Sequence, residues 1–229
     1  AAGRPAPRVA YVMTDGGALP AWFSRTVAGL RDAGWLSACV TVGQAFGGDL
    51  EAVTVHTGLL AARHVLDADL VVVAQGPGNL GTGTRWGFSG VAAGEALNAV
   101  GALHGSPVAS LRVSGADPRE RHRGVSHHSL TAYGRVALAP ADVVVPVAEG
   151  PADDERQALL ATVHRQAQSL CAPLGRHRLV EVPTGPVLLD ALAAAPVRLS
   201  TMGRGLDADP ESFLAAAAAG VHAAGLVRG

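Results

Sequence analysis

The chain reads as an α/β protein, a three-layer Rossmann-like domain whose mostly parallel sheet of about seven strands carries helices on both faces. Three observations predict this. Short β-branched runs alternate with helix-like segments along the whole length. One run, Leu70 to Ala74, is apolar on both faces, as a strand buried inside a parallel sheet must be. It exits into GPGNLGTGT, an open glycine-rich backbone placed where such sheets have their binding crevice, beyond the carboxyl ends of the strands.

The elements follow in order. Arg8 to Thr14 is a strand, Asp15, Gly16 and Gly17 make a turn, and a helix runs from about Leu19 to Ala33. Ser37 to Val42 is the second strand. Asp49 then stands at a helix N-cap position, and Leu50, Val53, Thr57, Leu60, Ala61 and His64 share one helical face, which places His64 on a buried stripe. After the glycine loop a helix spans about Gly87 to Leu103, and Pro107 to Val113 is a fourth strand. The polar stretch SGADPRERHRGVSHHS, Ser114 to Ser129, precedes a helix from about Leu130 to Ala139. Val143 to Val147, Leu179 to Val182 and Val197 to Ser200 read as further strands. Helices at about Ala152 to Cys171 and Val187 to Ala194 lie between them. Asp209 and Pro210 open the final alanine-rich helix as N-cap and first helical residue.

Length and composition bound the function. The 229 residues suffice for one large domain, here residues 8–229, preceded by a linker-like segment, residues 1–7. Hydrophobic residues make up 48%, charged ones 16%, and the formal net charge is -1. Neither disorder nor bulk attraction to nucleic acid is expected from that balance. Every basic side chain is arginine, so lysine Schiff-base chemistry is excluded. Cys39 and Cys171 form no CxxC pair and read as reduced thiols. No apolar run reaches the roughly 18 residues of a membrane span, and no signal peptide is evident, so a cytoplasmic protein without membrane contact is expected; a homo-oligomer is compatible with all of this.

Two stretches carry chemistry. In the first, Gly76, Gly78, Asn79, Gly81, Thr82, Gly83 and Thr84 form no P-loop, because no Lys follows, and fit no dinucleotide fingerprint in register. A cradle of backbone N–H groups for phosphate or carboxylate, or a tight turn that lets helix and strand pack closely, both explain the glycines. In the second, Arg119, Arg121 and Arg123 accompany His122, His127 and His128. Arginine forks suit carboxylate and phosphate. A helix starting here would add its positive end and favour neutral imidazoles at His127 and His128, able to transfer a proton or bind metal. His122 and His127 match half a zinc site, and Asp49 is a candidate to help complete it. A solvated polar loop is the competing explanation. Asp15, at the first strand exit, is a third catalytic candidate, and Arg204, between two glycines, a further basic ligand group. G-x-S-x-G is absent, which disfavours a serine hydrolase.

Taken together, YVMTDGGALP, GQAFGGDLEAV, GPGNLGTGT, RHRGVSHHS and STMGRGLDADP resemble a bacterial family catalogued as a domain of unknown function, number 3866, from Arg8 onward. The resemblance implies a bacterial cytoplasmic α/β domain whose relatives carry an additional N-terminal portion. It implies no activity, cofactor or catalytic residue.

The expected function is therefore the binding of a small anionic ligand, bearing phosphate or carboxylate, at the strand C-terminal edge, with catalysis an open question. Two alternatives stand beside it: a non-catalytic ligand-binding or assembly module of a longer bacterial protein, and a His/Asp metal-dependent hydrolase.

Overall fold

The computed structural model describes residues 6–16 and 19–228. Residues 1–5 of the linker-like segment, and Gly17 of the first turn, lie outside them. The chain divides into two compact units, Ala1–Thr82 with Ala224–Gly229, and Gly83–Ala223.

The first unit is built on β1 (Val9–Thr14), α1 (Arg25–Asp32), β2 (Ala38–Val42), β3 (Leu50–Ala52), α2 (Val55–His64) and β4 (Leu70–Gln75). All its strand pairs are parallel, in the order β3-β2-β1-β4. Alternation along β1 sends Ala10 and Val12 to one face, where they pack with Val40, Val42 and Ala62 of α2. Met13 goes to the other face, with Cys39, Ala21 and Val27 of α1. Helices thus cover both faces of β1 and β2, but β4, expected to be buried on both faces, is the edge strand, and Val72 is 53% exposed.

The second unit holds α3 (Ala92–Ala102), β5 (Val108–Ser110), β6 (Val113–Ser114), β7 (Gly124–Val125), α4 (His127–Thr131), β8 (Asp142–Ala148), α5 (Asp154–Cys171), β9 (Arg178–Thr184), α6 (Pro186–Ala193) and, as far as Ala223, α7 (Pro210–Arg228). Its sheet, β5-β8-β9, is again parallel, and β6 and β7 form a short antiparallel pair. Val143 and Val145 face Val163 and Ala167 of α5. Val144 and Val182 face Ala218 and Ala219 of α7. Val143 to Pro146 are all buried because both faces of β8 are covered.

The expectation of one sheet of about seven strands is therefore corrected: the α/β architecture stands, but as parallel sheets of four and three strands. The strand read from Pro107 to Val113 breaks after Ser110. No strand forms at residues 197–200; an isolated bridge between Thr201 and Arg204 follows them. Leu50 begins a strand rather than a helix, since its backbone pairs with Val40. The helix starts later, at Val55, with Thr54 and Thr57 in a reciprocal capping box. Asp49 instead accepts the Cys39 N–H at 2.8 Å and pairs with Arg31 at 2.7 Å. His64, expected on the buried stripe, is exposed. Both cysteines are free, and burial pushes the Cys39 thiol up to about 11. Among the described residues no helix is long and apolar enough to cross a membrane.

Candidate functional site

In the first unit the exits of β1, β2 and β4 open on one edge. A small cavity of about 210 Å³ there brings Asp15 and Gly16 beside Gln44, Phe46 and Gly76. The two loops approach so closely that a Cβ on Gly16 would lie 2.4 Å from the Gly76 carbonyl oxygen. Gly78, Asn79, Gly81 and Thr82 continue as exposed backbone, with the Asn79 amide oxygen accepting from the Gln75 side chain. Gly83 and Thr84 belong to the second unit and are likewise exposed. No helix starts directly after the loop; α3 begins only at Ala92, after a single turn of 3-10 helix at Ser89–Val91.

The polar stretch of the second unit folds around a carboxylate. Asp117 is fully buried and receives the Arg119 guanidinium through Nε and Nη2, each at 2.9 Å, with Arg204 Nη2 at 3.3 Å and Arg112 Nη2 at 3.5 Å. The Arg119 fork, first of all, holds the Asp117 carboxyl far below the usual carboxylate range. Arg204 also reaches Asp209 at 3.0 Å, and Asp209 accepts from the Ser114 hydroxyl at 2.6 Å and the Gly115 N–H at 3.1 Å. Arg123 donates to the Asp117 carbonyl at 3.2 Å. Three of the arginines expected to hold a ligand, Arg119, Arg123 and Arg204, thus have protein partners that order this loop.

Arg121 does not. It lines a cleft of about 900 Å³ together with Arg85, Arg135, Arg176 and His127. Among the described residues none of these four guanidinium groups has an ion-pair or hydrogen-bond partner, and no Asp or Glu lines the cleft. Trp86, Leu130 and Leu174 supply apolar wall, while Gln166 and Thr131 add polar atoms. Gln166 is held by accepting the Val125 N–H at 2.6 Å.

Local backbone explains the convergence. Arg121 sits in a single 3-10 turn, Glu120–His122, and α4 runs into a π-helical turn, Ala132–Val136. His127, Thr131 and Arg135 consequently fall on one side of a continuous helical path. Arg176 comes from the connection that follows α5. The cleft lies among helices and their connections, not beyond the carboxyl ends of β5, β8 and β9. The helix expected to start near Ser126 to Leu130 starts at His127 and continues through the π-helical turn to Val136.

His127 belongs to a second cluster. Its ring centroid lies 4.2 Å from that of His128 and 4.9 Å from that of His122; His122 and His128 are 5.0 Å apart. Phe88 stacks on His128 at 4.0 Å with 12° between the planes. The His122 Nδ1 atom and the buried Ser126 hydroxyl lie 2.7 Å apart. Burial, reinforced by Arg112 and Arg119, lowers His122 to about 4; burial, His127 and the arginines lower His128 to about 4; His127 shifts the same way, by burial and then Arg121. All three rings are neutral at neutral pH.

Arg85, Trp86, Arg135 and Arg176 escape a reading of the sequence alone. The spacing of His127, Thr131 and Arg135 is a usable signal for one of them; nothing local links Arg85 or Arg176 to the rest. One family model matches the chain, over residues 1–220, that of a protein of unknown function (DUF3866). No curated protein and no solved structure matches it.

Proposed function

Since the chain belongs to the DUF3866 family, whose description assigns no activity, we propose from the arrangement of its own side chains that it binds a small anionic ligand in the cleft of the second unit. The ligand carries phosphate or carboxylate groups and an apolar or aromatic body. The observation that carries this reading is the set of four arginines, Arg85, Arg121, Arg135 and Arg176, lining one cleft without a carboxylate among them. Like charges brought together repel, and an anion relieves that repulsion while gaining charge-assisted hydrogen bonds. Trp86, Leu130 and Leu174 fit the apolar body, and a volume of about 900 Å³ lies within the range of small-molecule sites. His127, a neutral imidazole, completes the cleft wall beside these arginines.

Thermal unfolding with phosphate, pyrophosphate or citrate tests the proposal. A ligand that binds only the folded state raises Tm by mass action, and an electrostatic site does so more at low salt. Wild type should show this rise and the double variant Arg121→Ala, Arg135→Ala should lose it. Absence of any rise with all three anions would contradict the reading.

A further inference from the structure

Three imidazoles converge beside the arginine cleft, which His127 lines. One ring nitrogen from each of His122, His127 and His128 lies within 4.8 Å of the other two. In a tetrahedral zinc site the ligand nitrogens stand about 3.3 Å apart, given Zn–N bonds of about 2.0 to 2.1 Å. Contraction by about 1.5 Å or less closes the set.

The orientation of the rings fits that role. A proton on His122 Nδ1 donated to Ser126 Oγ, 2.7 Å away, leaves the Nε2 lone pair free; such a hydrogen bond on the distal nitrogen is how metal-binding histidines are commonly oriented. The His127 Nε2 atom is buried and has no hydrogen-bond partner among the described residues. An orphaned ring nitrogen of that kind costs free energy unless something fills its coordination. Stacking on Phe88 fixes the plane of His128. Asp49, a sequence candidate for the metal, is committed in the first unit to Arg31 and the Cys39 amide. His128 takes the third position instead.

We infer that His122, His127 and His128 hold one divalent transition-metal ion of the zinc class, its fourth coordination position open toward the cleft that His127 lines. Metal binding stands on the histidine geometry alone; what occupies the fourth position rests on the anion reading given above. Either water or an oxygen of the bound anion fits it. The neighbouring cations oppose a metal ion, but Arg112 and Arg119 both pair with Asp117, and Arg121 is neutralised when an anion enters the cleft. Metal and anion therefore strengthen each other, with reciprocal coupling between the two affinities.

The test uses the full chain stripped by chelator and titrated with Co2+, whose visible ligand-field bands report tetrahedral nitrogen coordination. Wild type should bind one equivalent, Zn2+ should displace it, and pyrophosphate should tighten it. His128→Gln removes a ligand that does not line the cleft. It should weaken Co2+ binding by more than about 100-fold, beyond what removing a residue that only orients a ligand costs. In that variant, metal-free, the Tm rise with pyrophosphate should persist and show the fold intact. No stoichiometric Co2+ binding by wild type, or equal affinity in His128→Gln, would overturn the metal site. If the anion shift survives without metal binding, the cleft reading stands alone; if metal binds but no anion stabilises the protein, the cleft reading falls instead.

Discussion

Arg119 clasps Asp117 through two parallel hydrogen bonds, Nε to Oδ1 and Nη2 to Oδ2, each 2.9 Å long. That clasp separates the arginines of one short stretch into two groups. Arg119 neutralises a buried carboxylate and holds the loop, while Arg121, two residues on, lines the cleft without a partner among the described residues.

Removing the carboxylate charge leaves Arg112 and Arg119 without their carboxylate partner and Arg204 with Asp209 alone. Asp117→Asn should cost about 3 to 5 kcal/mol, the usual consequence of breaking a buried ion pair on one side. Urea denaturation measures it. A change under about 1 kcal/mol would mean that the arginines relax into solvent and that the network does not hold the loop.

In the metal-free chain, acid should unfold the protein through the histidine cluster. His122 and His128 titrate near 4 in the folded state, against 6.5 for a free imidazole. The unfolded chain therefore binds more protons between those values. The stabilisation from keeping the rings neutral is fully present above about pH 6.5 and is lost as pH falls toward 4. Asp117 adds to the loss only at the acid end of this window, where the unfolded chain begins to protonate its carboxyl while the folded one stays ionised. The Tm of His128→Gln should fall less steeply between pH 6.5 and 4 than that of wild type; parallel curves would contradict the assignment.

Gly94 sets the distance between α3 and the π-helical turn that carries Arg135. A Cβ there would lie 2.2 Å from the Ala132 carbonyl oxygen and 2.8 Å from the Val136 Cβ. Helix propensity alone favours alanine by about 1 kcal/mol, but the clash is with backbone and cannot rotate away. Gly94→Ala should therefore destabilise by about 1 to 3 kcal/mol and weaken anion stabilisation as Arg135 shifts. A more stable variant with unchanged anion response would show that the turn moves freely.

The sequence discloses what local pattern determines. β1, β4 and β8 are apolar runs long enough to declare themselves, α5 carries Asp153 as N-cap with its side chain on the Arg156 N–H, and Pro210 opens α7 as its first residue. Leu50 reads as helical because its face is periodic for a helix, while pairing with Val40 is a tertiary event that periodicity does not contain. The division into two sheets is of the same kind: each strand is visible in sequence, but which strands pair is not. In the site, Arg121 and the three histidines stand out by clustering along the chain. Arg85 and Arg176 join them only through folding; Arg119 and Arg204, equally conspicuous in sequence, are held by Asp117 and Asp209, and Arg123 donates to the Asp117 carbonyl.

Calorimetric titration of the metal-free chain with pyrophosphate tests most directly the proposed capture of an anion by Arg121 and Arg135 in the second-unit cleft. Wild type should bind at one site. Removing each charge-assisted hydrogen bond should cost about 1.4 kcal/mol or more, so Arg121→Ala with Arg135→Ala should weaken affinity by about 100-fold. Equal affinity in the two proteins, or no heat of binding in wild type, would contradict the account.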